Sequence, residues 1–508
     1  VVFFAPPIVM SHETRGPRAA IALLLVAAVA VRLALWTGLV GEDDHFLFAL
    51  AHDLESGKYR FEAHHQFTRF GILAPLLATG QLTGWHPDAY PAYGFACSIG
   101  LILLTYAVGR RWFSPTVGLV AAWVAAFFPN NIHYAGAVHV DVPSSFWFLL
   151  GIYSLWPAKP GTPIERPALR GLLAGLCFAA AYLTKEAILL GLAWPAIWFW
   201  RDRSSRTRLL FAALGLAAAI GIESATYGIL TGNPWHRLEA IRSGAQPEAQ
   251  TFGGTLIERW LWAYPKLMLV PSGYVGLLYP LLAAALGALW LGRARGWGFL
   301  LGWWGVTAAL IAWLPGTLSP PTPALSLIPR YLEPLTPPAA LLIGLAFERA
   351  RALRPAACAA LALYVAAGVL GAWAIRRDVR AKMDPIRDAL TALPRQGDTA
   401  IITDPWTAGQ VSVLSRFNPG RKTFHFSTGE FDRDSTAKCY YVVYDYGIDY
   451  SSSALRYPTP DAGRLNLIRA RGRRILDKSW PVPGPLRDGP WAPPRSAARR
   501  IEVYQRTW

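Results

Sequence analysis

Charge is scarce in this chain: Asp, Glu, Lys and Arg make up 16% of its 508 residues, against 53% hydrophobic residues. With a mean hydropathy of +0.28, that balance excludes an ordinary soluble enzyme, in which about a quarter of residues are charged. Acid is scarcer than base, and the formal net charge is +17. The excess does not point to nucleic acid. The arginines gather in short clusters between apolar runs and in the C-terminal segment, as membrane topology and anionic headgroups require. Cysteines number only four. Cys97, Cys177 and Cys358 fall inside apolar runs and Cys439 stands alone in the C-terminal segment, so no internal disulfide is expected there. No Walker, Rossmann or nucleophile-elbow signature stands out, nor an internal repeat or an Asn-x-Ser/Thr sequon. Val1–Val9, ahead of Met10, lack the charged region and cleavage site of a signal peptide, so the first apolar run is expected to remain as an anchor.

Long apolar runs are abundant, as are Trp (22) and Pro (40), the residues of interfacial belts and interrupted membrane helices. Runs of bilayer-spanning character are Ala19–Val40, Ala89–Gly109, Pro115–Tyr134, Val142–Trp156, Leu169–Thr184, Ala187–Trp200, Leu209–Leu230, Ser272–Leu291, Trp297–Leu314, Tyr331–Phe347 and Ala356–Ile375. With a cytoplasmic N-terminus (Arg15, Arg18), the clusters Arg110–Arg111, Lys159/Arg166/Arg170, Arg201–Arg208, Arg293/Arg295 and Arg349–Arg354 all become inside loops, as the positive-inside rule asks. The agreement requires a break at Lys185–Glu186. The expected fold class is therefore an α-helical polytopic membrane protein of about eleven spans with a small C-terminal extracytoplasmic α/β domain. Its parts are a cytoplasmic tail (1–18), a membrane region (19–375) whose first external loop is 41–88, and the C-terminal domain (376–508). In the first loop, His52–Glu55 and Phe70–Leu82 read as interfacial amphipathic helices. In the C-terminal domain Asp384–Leu393 reads as helix and Thr399–Thr403, Cys439–Asp445 and Ile501–Gln505 as strands. Pro481–Arg500 reads as a surface loop.

Polar chemistry gathers on the outer face. Eight of the ten histidines (His45, His52, His64, His65, His86, His133, His139, His236) map there, together with Asp43, Asp44, Asp141, Lys185, Glu186 and Arg330. Ionised acids are costly in hydrocarbon and persist where water, a cation or a reaction holds them. Asp43–Asp44 reads as a solvated loop pair or as a general base with a neighbouring acid to tune it. Asp141, in His139-Val-Asp-Val-Pro143, is an N-cap by position and a candidate catalytic carboxylate. Lys185–Glu186 is a local ion pair, a snorkelling lysine or a phosphate contact. Arg330-Tyr331 runs against the positive-inside trend, so Arg330 needs an anionic partner. His139, His64 and His65 are candidate ligands of a divalent metal (Mg, Mn or Zn), with histidine favouring Zn or Mn, although no fixed ligand spacing requires one. Gly171-x-x-x-Gly175 reads as helix packing. Arg32 and Glu223 are the nearest candidates for charges deep in the membrane, Arg32 being placed to snorkel outward.

The order of these features resembles the GT-C superfamily of lipid-carrier-dependent glycosyltransferases, in the branch of protein O-mannosyltransferases and the lipid A aminoarabinose transferase. The matching pieces are Asp43-Asp44 with Ala49-Leu-Ala51 and Gly57-Lys-Tyr59, Arg69-Phe-Gly71, His139-Val-Asp141-Val-Pro143, Leu183-Thr-Lys-Glu186, Thr231-Gly-Asn-Pro234 and Pro329-Arg-Tyr-Leu332. They span residues 19–375. Two departures stand out: Asp44 replaces the usual Glu, and His64-His65 stands where relatives often carry His-Pro or Pro-Pro. The resemblance implies a bacterial inner-membrane enzyme that moves a sugar from a polyprenyl-phosphate donor to an acceptor hydroxyl on a protein, lipid or glycan, with inversion. It implies Asp43 as base, Asp44 and Asp141 as orienting acids, and Lys185, Arg330, Tyr331 and Arg69 as the donor-phosphate contacts. Membrane lipids are the other expected partners. The competing readings are a transporter or flippase, which predicts inverted repeats and broken helices, and a non-catalytic lipid-binding relative.

Overall fold

The computed structural model describes residues 16–38, 43–85, 89–156, 166–251, 258–269, 273–292, 297–313, 315–318, 321–323, 329–393, 399–403, 407, 411, 421–425, 438–445, 462–481 and 498–505. Apolar runs too poor in hydrogen-bonding side chains to satisfy a backbone in any other way become helices. In chain order these are α1 (Gly16–Ala34), α2 (Asp43–Glu55), α3 (Phe70–Thr83), α4 (Ala92–Trp112), α5 (Pro115–Ala126), α6 (Pro129–Ala135), α7 (Asp141–Leu155) and α8 (Pro167–Thr184). There follow α9 (Ala193–Arg201), α10 (Arg203–Thr231), α11 (His236–Thr251), α12 (Tyr264–Leu269), α13 (Leu278–Leu291), α14 (Gly298–Trp313), α15 (Thr336–Arg349), α16 (Arg354–Ala392) and α17 (Ala462–Arg471).

Among the described residues four helical stretches are long and apolar enough to cross a membrane: Ala92–Trp112, Pro167–Thr184, Ser205–Thr231 and Arg354–Ala392. Phe70–Thr83, Pro115–Ala126, Leu278–Leu291 and Gly298–Trp313 are shorter apolar helices, so each of the eleven expected runs contains helix while several are not full spans by length. The expected run Pro115–Tyr134 is two helices, α5 and α6. Pro129 lacks the amide that would continue α5 and instead opens α6 at its first turn. The break at Lys185 is real: α8 ends at Thr184 and a 3-10 segment, Glu186–Leu192, leads into α9. Asp43 and Asp44 are not loop residues but the first turn of α2, where the helix dipole favours acids.

Helices pack closely where glycine allows. Gly109 of α4 faces Gly118 of α5, and a Cβ on Gly109 would lie 2.6 Å from the Gly118 Cα. On α8, a Cβ on Gly175 would overlap the Ala212 carbonyl of α10 and lie 3.0 Å from the Gly215 Cα, which confirms the packing role read for Gly171-x-x-x-Gly175. α10 also exposes Leu210, Leu214, Ile222 and Ile229, apolar side chains of the kind a membrane helix turns to lipid. The membrane core centres on Leu101, Phe148, Trp303 and Leu341.

The C-terminal domain is built on α16. This helix does not end with its apolar run but continues through Pro385 to Ala392, so the helix expected at Asp384–Leu393 is its far end. There Val379, Met383, Ile386 and Leu390 pack on Tyr440, Val442, Ile501 and Val503 of the sheet, and the same cluster includes Tyr134, Ala137 and Val142 of the membrane region. The sheet has the order β4-β3-β5-β7-β6, with β3 (Thr399–Thr403), β4 (Arg421–His425), β5 (Lys438–Asp445), β6 (Arg473–Pro481) and β7 (Ala498–Gln505). β4, β3 and β5 run parallel, and β5, β7 and β6 antiparallel. All three expected strands are present. Most of the loop expected at Pro481–Arg500 lies outside the described residues, and Arg500 belongs to β7. The Pro-rich stretch after α14 forms a short hairpin, β1 (Pro315–Leu318) with β2 (Pro321–Pro323).

Candidate active site

Four separated segments bring their polar residues to one place. Asp43 opens α2, His139 and Asp141 stand at the start of α7, Lys185 caps the end of α8, and Arg330 and Tyr331 lie on a 3-10 segment, Pro329–Leu335, ahead of α15. Arg330 Nη1 donates to Asp43 Oδ2 at 3.0 Å and approaches His139 Nε2 at 2.9 Å. Guanidinium has no acceptor, so Nε2 accepts, and the imidazole proton belongs on Nδ1. Nδ1 lies 2.6 Å from Asp141 Oδ2. The other Asp141 oxygen accepts from Lys185 Nζ, which rests 3.9 Å from the centre of the Tyr331 ring. The result is one continuous chain, Asp43–Arg330–His139–Asp141–Lys185.

Several alternatives left open by the sequence are settled by this geometry. Asp141 makes no side-chain cap, since Val140 occupies the N-cap position, and its carboxylate turns to Lys185 and His139. Lys185 is 6% exposed and does not snorkel. Glu186 is paired not with it but with Arg237, at 3.4 Å. Arg330 turns inward. Asp44 is fully buried beside Asp43, so it stands behind the surface from which Asp43 emerges. Arg69 is buried and donates to Gln66 Oε1 at 2.8 Å.

Burial raises the Asp43 carboxyl, but the guanidiniums around it, Arg330 first and Arg69 behind, outweigh it and hold the group well below the usual carboxylate range. Asp43 is therefore ionised at neutral pH. His65 is pushed down to about 3 by burial first and by Arg69 and His64 next, so it is neutral. The His64 and His65 rings lie 4.4 Å apart, tilted by 30°, and His64 Nδ1 accepts from the Gln66 amide at 3.4 Å. Both ring nitrogens of His139 are engaged within the chain just described. Among the described residues no group of three or more His, Cys, Asp or Glu is placed to hold a metal; His64 and His65 lie side by side, and His139 stands in the chain with Asp141. His86 lies outside the described residues.

Sequence reasoning missed Arg237 of α11. Its guanidinium donates to Glu223 (2.9 Å), to the Thr68 carbonyl (2.6 Å) and to the Tyr182 carbonyl (2.7 Å). It thereby ties α8, α10 and α11 to the first loop just behind Arg69. A lone Arg in a polar stretch carries no signal of this in sequence. A small cavity sits between Asp141, Lys185, Tyr331, Ile188 and Ile311.

Residues 93–222 match the family model of dolichyl-phosphate-mannose-protein mannosyltransferase. The undecaprenyl phosphate-alpha-4-amino-4-deoxy-L-arabinose arabinosyl transferase 1 of Pseudomonas fluorescens is 28% identical over 269 residues, which is 49% of this chain and 44% of the relative. The match thus spans less than half the length of that relative. Among solved structures, ArnT from Cupriavidus metallidurans in the apo state superposes with a TM-score of 0.56 at 14% identity, covering 96% of this chain and 98% of that one. The same protein bound to undecaprenyl phosphate gives 0.57 at 13% identity, with the same coverage. The fold is thus ArnT-like, and the resemblance to the mannosyltransferase and aminoarabinose transferase branch, first carried by short motifs, is found again in whole-segment comparisons.

Proposed function

We propose that this chain is a membrane glycosyltransferase that takes a sugar from a polyprenyl-phosphate donor and passes it, with inversion, to an acceptor hydroxyl on the extracytoplasmic face. The observation that carries the reading is the meeting of Asp43, Arg330, His139, Asp141 and Lys185 from four segments of an ArnT-like fold. One partly exposed carboxylate there faces a cluster of cations. A polyprenyl-phosphate donor needs an anion site at the membrane surface, and Arg330, Lys185 and Arg69 supply it. The acceptor needs a base, and Asp43 is the acid of the cluster with open access, at 29% exposure.

In this mechanism the acceptor oxygen bonds to the anomeric carbon as the bond from that carbon to the phosphate oxygen breaks. The electron pair leaves with the lipid phosphate, and the acceptor proton passes to Asp43. A carboxylate held this acidic is a weak base, so the proton moves late, once the attacking oxygen has gained positive charge. Donor phosphate competes with Asp43 for Arg330. As Arg330 turns toward the phosphate, Asp43 loses its counter-ion and becomes more basic. Asp141 fixes Lys185 and the His139 tautomer, which in turn aims Arg330. Asp44, fully buried, orients the first turn of α2. The C-terminal domain, packed against the outer ends of α6 and α7, caps this face and contributes to acceptor selection. In this reading the chain sits in the bacterial inner membrane with its N-terminus cytoplasmic, as the positive-inside pattern of its arginines supports.

The test is sugar transfer by the purified protein in nanodiscs, offered a panel of polyprenyl-phosphate sugars with hydroxyl acceptors. Release of free polyprenyl phosphate is the expected result. A protein that binds the lipids but turns none of them over refutes the transferase reading in favour of a lipid receptor.

A further inference from the structure

The two charges expected deep in the membrane both find protein partners. Arg32 does not snorkel outward from α1: it is fully buried, and its Nε donates to Ser98 Oγ at 2.8 Å. Glu223 of α10 receives Arg237, whose reach is decided by the turn between α10 and α11. There Gly232 adopts a φ of +74°, a conformation open to glycine. Thr231 Oγ1 accepts from the Asn233 amide at 3.3 Å, and Asn233 Oδ1 accepts from the Trp235 amide at 2.9 Å. The chain thus doubles back, and Arg237 Nη1 meets a Glu223 oxygen at 2.9 Å.

Arg237 is 4% exposed and commits both terminal nitrogens to protein oxygens, so it is not itself open to a ligand. Which oxygens they are matters. Nη1 donates to the carbonyl of Thr68, the residue before Arg69, at 2.6 Å. Nη2 donates to the Tyr182 carbonyl at 2.7 Å and to Glu186 Oε2 at 3.4 Å, on either side of Lys185. The guanidinium also lies 4.3 Å from the centre of the Tyr182 ring. One planar group therefore grips the segments that carry Arg69 and Lys185. The rigid fork of arginine allows such a bridge, and the single nitrogen of lysine does not.

A second contact holds the same two segments together. A Cβ on Gly71, two residues after Arg69, would overlap Thr184 Oγ1 and lie 2.8 Å from the Leu183 carbonyl carbon, so the two backbones touch. Ser243 of α11 adds a tie to the first loop by donating to the Ala63 carbonyl. Arg69 keeps one donor open. It is 5% exposed, its Nη1 donates to Gln66 Oε1, and its Nε has no partner among the described residues. A buried charged donor left unpaired is costly, and an anionic ligand relieves the cost.

We propose that Arg237 is a positioning residue: by clamping the Thr68 and Tyr182 carbonyls it sets the spacing of Arg69 and Lys185, so that both cations meet the donor phosphate at once. The proposal rests on the transferase reading above for the identity of that phosphate.

The experiment uses the full chain in nanodiscs with Arg237→Lys, Arg69→Gln and the double variant. Arg237→Lys keeps a cation between Glu186 and Glu223 but loses the fork, so Tm should change little. Polyprenyl-phosphate Kd and donor KM should rise about 5- to 20-fold, a part of what losing a charge-assisted hydrogen bond costs. kcat at saturating donor should stay within about twofold of wild type, since Asp43 is untouched. With Arg69 already removed, Arg237→Lys should add less than about twofold, because a positioning residue acts through the group it positions. An unchanged Kd, a rise in KM that merely tracks Tm, or losses that multiply in the double variant overturn the proposal. If Arg237→Lys does not fold, Glu223→Ala, which removes the anchor of the guanidinium on α10, must raise the donor KM at least about threefold with kcat held, or the proposal fails. Polyprenyl-phosphate binding that weakens in Arg237→Lys, in a protein that transfers no sugar, keeps the clamp and removes the transferase reading. Turnover with an unchanged donor KM keeps that reading and removes the clamp.

Discussion

Asp43→Asn is the substitution that separates base from scaffold. The Asn side-chain oxygen replaces Oδ2 as acceptor for Arg330, which now donates at 3.0 Å, so the geometry of the cluster survives. What is lost is the ability to take a proton. Among the described residues no neighbour replaces it: Asp44 is fully buried, and both Asp141 oxygens face cations or His139. General-base catalysis supplies about 10²- to 10⁴-fold in rate, equivalent to about 3–5.5 kcal/mol at 1.36 kcal/mol per decade. With no substitute base, the loss in kcat should fall in the upper half of that range. Donor affinity should move the other way. Asp43 and Arg330 are 29% and 17% exposed, and a pair this accessible to solvent is worth about 1 kcal/mol or less, so freeing Arg330 tightens donor binding by at most about fivefold. Single-turnover transfer of a radiolabelled sugar, run beside equilibrium binding of the donor lipid, reads the two effects apart. A rate loss below about tenfold, or donor binding weakened by tenfold or more, refutes Asp43 as the base.

Three further outcomes follow from the same geometry. Lys185→Met removes a charged donor at the phosphate site and should raise the donor KM about 10- to 100-fold, the range of a charge-assisted hydrogen bond. Steady-state kinetics with the donor varied would show an unchanged KM if Lys185 only pairs with Asp141. Gly175→Leu forces α8 away from the Ala212 carbonyl of α10 and should cost about 1–3 kcal/mol, seen as a lower Tm; a wild-type melting curve would contradict the close packing. Burial pushes the His65 imidazole down to about 3 from its ordinary 6.5. The unfolded chain therefore binds a proton below pH 6.5 that the folded one refuses, and stability falls as pH drops from about 6.5 toward 3. His65→Asn should flatten the dependence of Tm on pH in that window, and an unaltered slope would assign it to other groups.

Much of the membrane region was legible because helix follows from apolar length, and even the break at Lys185 could be demanded by counting arginines on alternate sides. The strands β3, β5 and β7 were legible from their β-branched and aromatic content. β4 (Arg-Lys-Thr-Phe-His) and β6 (Arg-Arg-Ile-Leu-Asp-Lys-Ser-Trp-Pro) were not, because both stand at sheet edges, where charged residues are used to block further pairing and the apolar signal is diluted. The site was legible as a list but not as a network. Asp43 and Arg330 are 287 positions apart, and no local pattern says that one will neutralise the other.

The 39 residues of α16 make a rod about 58 Å long at 1.5 Å per residue, of which about 30 Å suffices to cross the hydrocarbon. The remaining half is a mast, with the C-terminal sheet bolted along its side. A flexible tether would let that domain sample every azimuth, whereas a mast fixes both its height and its heading. Each residue added or removed within the exposed half turns the domain by about 100° and lifts or lowers it by about 1.5 Å. The natural unit of change in this helix is therefore the heptad, about two full turns, after which the domain faces the site again but stands roughly 10 Å higher.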